Sequence, residues 1–147
     1  MKKYNFKSLV LTALIILGLG SIPLAQAAGD GPTGGFLGAA STSNTDVYVL
    51  NCPIGTVNVK ASVNDAIALG NEISVQVINP HGLATTQTAQ DDGPPSDNAV
   101  LGGGAGNYLV TVHKNTATGE GYTITLDCYD SAGVRFPGNQ STLVQNQ

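Results

Sequence analysis

The chain of 147 residues contains no tryptophan, one methionine and two histidines, and only 11% of it is charged. Each shortage excludes something. There is no H-E-x-x-H pair, no Gly-x-Ser-x-Gly elbow and no reactive-cysteine motif, so the common catalytic signatures are missing. Gly102, Gly103 and Gly104 lack the lysine and the following helix that a phosphate cradle requires. Cations are scarce: beyond position 27 only Lys60, Lys114 and Arg135 remain, against all ten carboxylates, three positive charges against ten negative for a net of −7. Such a chain repels nucleic acid and anionic lipid and has no basic patch for either. Helical periodicity is also missing. Residues 63–69 have room for one turn, but Gly70 and the flanking strand patterns argue against more.

What the chain does have begins with an export signal. Lys2, Lys3 and Lys7 precede residues 9–19, which are apolar apart from Thr12 and Gly18; Pro23 follows, then the small-x-small sequence Ala25-Gln26-Ala27. This is the order of a cleavable signal peptide over residues 1–27, of bacterial type. The apolar run is shorter than the roughly 20 residues of a membrane-spanning helix, and no second apolar span follows. The expected location is therefore periplasmic or secreted. Residues 28–45 are rich in Gly, Ser, Thr and Asn and read as a flexible lead-in, and residues 138–147 read as a flexible tail. A single domain is expected over residues 46–137.

Two cysteines, Cys52 and Cys128, lie 76 positions apart. An even count in an exported chain reads as a disulfide, and a metal or redox pair would want a CxxC spacing or histidine partners that are absent. Around them the pattern has period two, the signature of strands with one buried face. Tyr48 and Leu50 share a face with Cys52; Val57, Val59, Ala61 and Val63 alternate with Asn58, Lys60 and Ser62; Ile73, Val75 and Val77 alternate with Ser74 and Gln76. Asn79-Pro80-His81-Gly82 reads as a turn, residues 83–89 as a Thr-rich strand and residues 91–98 as a loop. Tyr108, Val110 and Val112, then Tyr122, Ile124, Leu126 and Cys128, complete the set. The implied fold is all-β, a small sandwich or jelly-roll-like domain of about seven or eight short antiparallel strands, with both cysteines facing the core.

Residues 46–128 resemble the bacterial pre-peptidase C-terminal (PPC) domain, a small β-sandwich found beside secreted peptidases. The resemblance rests on Asp46-Val47-Tyr48-Val49, on Gly55-Thr56-Val57-Asn58-Val59 and on Ile73-Ser74-Val75-Gln76-Val77. Gly106-Asn107-Tyr108-Leu109-Val110-Thr111-Val112 and Gly121-Tyr122-Thr123-Ile124-Thr125-Leu126 complete it. It implies the fold and transfers no binding residue. Calcium-binding relatives use an acidic N-terminal linker, and residues 29–45 hold only Asp30.

For chemistry, the acidic loop of Asp91, Asp92 and Asp97, with Asn98, is the candidate calcium site, because hard oxygen ligands on a turn suit that ion. Its spacing matches no EF-hand, and a solvated turn is the competing reading. His81 in a turn and His113 on a strand's polar face are the two histidines, the side chains suited to assist proton transfer. No catalytic residue is assigned to either. Sugar stacking has thin support: Tyr48, Tyr108 and Tyr122 have core parity, Phe36 and Phe136 fall in or near the flexible ends, and Tyr129 is left as the outward ring. The expectation is an exported, non-catalytic accessory domain, requiring no cofactor, that recognises another exported protein or a cell-surface polymer. The alternative is a calcium- or carbohydrate-binding sandwich that uses the loops at one end, residues 79–82 and 91–98 among them.

Overall fold

The computed structural model describes residues 27–28, 32–39, 44–65, 72–87, 95–138 and 140–147. Among them are ten strands and no helix. The strands are β1 (Ala27–Ala28), β2 (Thr33–Leu37), β3 (Thr45–Cys52), β4 (Asn58–Asp65) and β5 (Ile73–Asn79), followed by β6 (Gly82–Gln87), β7 (Ala99–Gly102), β8 (Gly106–Lys114), β9 (Glu120–Tyr129) and β10 (Gln140–Gln145). They form two antiparallel sheets. One has six strands in the order β1-β10-β3-β8-β5-β6, and the other has four in the order β2-β9-β4-β7. The all-β sandwich expected from the alternation is the fold observed, with more strands than the seven or eight anticipated.

Period two produces the core directly. Along β3, β4, β5 and β8 every second side chain is buried. Tyr48, Leu50, Val75, Val77, Tyr108, Val110 and Val112 from the large sheet meet Val59, Ala61, Val63, Tyr122 and Ile124 from the small one. Fully burying a branched or aromatic side chain stabilises a fold by about 1.5–3 kcal/mol, so this interdigitated layer is the main source of stability. At one end of the sandwich the last residue of β3, Cys52, is bonded to Cys128 of β9 with the Cα atoms 5.8 Å apart. The disulfide therefore ties the large sheet to the small one, and both cysteines face the core as their parity required.

Three segments depart from the sequence reading. The lead-in contains β2, which pairs with the edge of β9 and buries Leu37 completely. The expected tail contains β10, which pairs with β3, buries Ser141 and packs Leu143 on the core. Both strands are too polar or too glycine-rich to show an apolar alternation, and both are held by pairing with a strongly patterned neighbour. The third departure is at Val57, expected in the core but 42% exposed. It precedes β4, and its backbone N–H donates to the Tyr129 carbonyl at 2.8 Å. Of the expected signal peptide, residues 1–26 lie outside the described residues, while Ala27 pairs with Thr142.

Candidate functional site

The outward positions of the large sheet form ordered rows because its strands are in antiparallel register. Val49 lies opposite Thr142 and Leu109, Leu109 opposite Ile78, and Ile78 opposite Leu83. These five side chains make a stripe across β10, β3, β8, β5 and β6. Beside it runs a second row of Gln145, Val47, Thr111, Gln76 and Thr85, then a third of Thr45, His113 and Ser74. On the other side Asn51 donates its amide to Asn107 Oδ1 at 2.6 Å. None of these positions carries an Asp, Glu, Lys or Arg, although the chain has sixteen of them, ten acidic and six basic. Leu109 and Leu83 are 41% and 54% exposed at the centre and edge of the stripe.

A cleft of about 360 Å³ opens at one end of the stripe, lined by Val49, Ile78, Asn79, Pro80, Asn107, Tyr108 and Leu109. Its apolar floor is the stripe itself, and its rim is amide. The turn that closes it is fixed locally. Asn79 Oδ1 accepts the His81 N–H at 2.8 Å, and Asn79 Nδ2 donates to the Gly102 carbonyl at 3.2 Å. Gly103 must be glycine for this, since a Cβ there would sit 1.9 Å from Asn79 Nδ2 and 2.9 Å from the Tyr108 hydroxyl. Tyr108 in turn donates to the Gly104 carbonyl at 2.6 Å, in a loop where Gly104 has φ of 84°.

The sandwich end opposite the disulfide holds buried ionisable groups: Asp46, Asp65, Lys114 and Glu120. Tyr122 donates its hydroxyl proton to Asp46 Oδ2 at 2.6 Å, so Tyr48, 2.7 Å from the Tyr122 oxygen, donates to it. The Gln147 N–H completes the set on Asp46 Oδ1 at 2.9 Å, and the Gln147 carbonyl accepts the Gly38 N–H at 2.9 Å. The segment after β10 is thereby pinned across the end of the sandwich. Lys114 donates to the carbonyls of Leu37 at 3.4 Å and of Gly38 and Thr118. Carboxylate and phenols are closed off from solvent, which suits them to holding strands together. Parity in the sequence places Tyr48 and Tyr122 in the core; Asp46 and Lys114 were not read there, yet the signal was present, since Asp46 shares parity with Tyr48 and Leu50, and Lys114 with Val110 and Val112.

Burial pushes the Asp46 carboxyl above its ordinary value, against the lowering effect of its Tyr122 and Gln147 donors. Burial also raises the Tyr122 and Tyr48 phenols. Asp46 is therefore expected to hold its proton more tightly when folded than when unfolded. Its contribution to stability is full below the unfolded value of about 3.9 and is lost as pH rises through the higher folded value. Asp46→Asn removes this dependence. Urea unfolding of parent and variant across that window should show the parent losing stability relative to the variant as pH rises; a constant difference would refute it.

The remaining candidates are dispersed. Asp91 and Asp92 lie outside the described residues, and Asp97 is exposed; no group of three His, Cys, Asp or Glu able to hold a metal occurs among the described residues. Ser96 is bound to β4, its Oγ accepting the Val63 N–H at 3.0 Å. His81 lies in the β5–β6 turn and His113 near the far end of β8, so the fold does not bring them together. The Tyr129 ring is covered by the Lys60 ammonium, 4.2 Å from its centroid, and Arg135 pairs with Asp127 at 3.1 Å. Phe36, placed by composition in a flexible end, is on β2 and 55% exposed, while Phe136 packs partly on the core. No helix among the described residues is long and apolar enough to cross a membrane. No protein-family model and no curated protein matches this chain.

Proposed function

We propose that this chain is an exported, non-catalytic interaction domain that recognises an uncharged partner through the outer face of its six-stranded sheet. The observation that carries the reading is the charge-free face itself, with the Thr142–Val49–Leu109–Ile78–Leu83 stripe at its centre. Buried apolar contact supplies affinity, and the flanking Asn, Thr and Gln side chains supply neutral hydrogen bonds. Another exported protein or a neutral cell-surface polymer fits that chemistry. The disulfide suits an oxidising compartment.

A carbohydrate reading has one observation of its own: Asn79 and Asn107 rim a cleft floored by Val49, Ile78, Pro80 and Leu109. Amides over an aliphatic floor suit hydroxyls presented above an apolar ring face. Binding of the exported domain to neutral polysaccharides and to purified exported proteins tests both. Affinity should change little between about 50 and 500 mM salt, because no ion pairs form. Leu109→Lys should weaken it by at least about tenfold. Binding that collapses in salt, or turnover of a peptide, ester or glycoside lost on replacing His81 or His113, would overturn the proposal.

A further inference from the structure

An amine, a primary amide and a carboxyl group converge at the sandwich end opposite the disulfide. Lys114 ends β8, is fully buried and faces the core with Val110 and Val112. The β3–β8 register closes on Thr45 opposite His113, and one step beyond that pair stand Asn44 and Lys114. Asn44, half-buried just before β3, continues the inward parity of Asp46 and Tyr48. Its Nδ2 donates to the Gly38 carbonyl at 2.7 Å, and Lys114 Nζ donates to the same oxygen. Two donors on one acceptor lie about 4–5 Å apart, a gap that a rotamer change of the flexible lysine closes. The carboxyl comes from the other sheet. Glu120 opens β9, is fully buried and shares parity with Tyr122 and Ile124. The two sheets run in step across the core: Cys52 meets Cys128 and Asp46 meets Tyr122, each pair 76 positions apart. The same offset sets Glu120 across from Asn44. Glu120 also lies opposite Leu37, whose carbonyl, like that of Gly38, accepts from Lys114.

We propose that Lys114 and Asn44 become joined by an intramolecular isopeptide bond, with Glu120 as the proton carrier. Lys114 gives one proton to Glu120 and attacks Asn44 Cγ as the amine. The Nζ–Cγ bond forms, a second Nζ proton passes to Nδ2, and the Cγ–Nδ2 bond breaks. Ammonia leaves, taking the proton held by Glu120 as it goes out to solvent. One nitrogen replaces another on the same carbonyl carbon, so no oxidant or reductant is needed. Amines do not displace ammonia from amides at a useful rate in water. Here the fold holds nucleophile and carbonyl together, and rigid placement of this kind is worth effective concentrations of about 10⁵–10⁸ M. Burial adds a driving force, because an ammonium and a carboxylate are costly inside a core and a secondary amide is not. It also excludes the water that would compete for Asn44 Cγ. The reaction happens once per chain and is independent of the recognition reading.

Intact mass of the exported chain, with its disulfide reduced, tests this. The expected value is about 17 Da below the mass of the sequence, the loss of one ammonia. Proteolysis should then release a branched fragment that carries both Asn44 and Lys114. Asn44→Ala should restore the full sequence mass, and Glu120→Gln should leave at least about nine-tenths of the chains unlinked. A parent chain at full sequence mass would overturn the inference without recourse to any variant. A deficit that persists in Asn44→Ala, or that maps to other residues, would overturn it as well. Complete linkage in Glu120→Gln would overturn the role given to Glu120. A buried lysine that merely satisfies carbonyls produces no mass deficit, so a structural role for Lys114 cannot imitate the expected result.

Discussion

A chain in which Cys52 and Cys128 are both replaced by alanine should unfold about 15 °C below the parent, a loss of about 4 kcal/mol. The magnitude follows from the 76 positions the bridge spans. Freeing that loop enlarges the unfolded ensemble, and the native state loses its only covalent tie between sheets among the described residues. The effect is graded because the opposite end has its own cross-sheet link, from Tyr48 in β3 to Tyr122 in β9. The variant should therefore remain folded at room temperature with an unchanged strand signal. Thermal unfolding by circular dichroism, with the thiol content of the parent measured beside it, decides the matter. Equal midpoints would mean the bridge adds nothing.

Gly35→Ala should cost about 2–3 kcal/mol, whereas Gly34→Ala should change stability by less than about 0.5 kcal/mol. Gly35 lies directly opposite Tyr122 in the β2–β9 pair. A Cβ there would fall 2.3 Å from Tyr122 Cζ, a distance no packing adjustment of one atom relieves. The ring cannot swing aside without breaking its hydrogen bonds to Asp46 and Tyr48. At Gly34 the nearest atom to a new Cβ is the Tyr122 carbonyl oxygen at 3.7 Å, an ordinary contact. Denaturant unfolding of the two variants side by side makes the comparison. Equal costs at both positions would show that glycine flexibility, and not the fit against Tyr122, is what matters in β2.

The central strands were legible because alternation is a local property. In β3, β4, β5 and β8 a one-residue shift would expose the whole apolar set, so sequence alone fixes which side chains are buried. The same parity placed Cys52 and Cys128 inside and made their bridge predictable. The same parity places Asp46 and Lys114 inside, where charge alone would put neither.

Other features depend on which strands become neighbours. The Gly-rich Thr33–Leu37 and the polar Gln140–Gln145 carry too little hydrophobic pattern to declare themselves; their strand conformation comes from ladder hydrogen bonds offered by β9 and β3. The candidate surface is of this kind too. Val49, Leu109, Ile78 and Leu83 are scattered along the chain, each next to an apolar neighbour and individually unremarkable. Only the register of four strands aligns them into one stripe, because side chains meet across a sheet by pairing and not by sequence distance. Local periodicity thus determined the sandwich and its staple, and non-local pairing decided what its outer face presents.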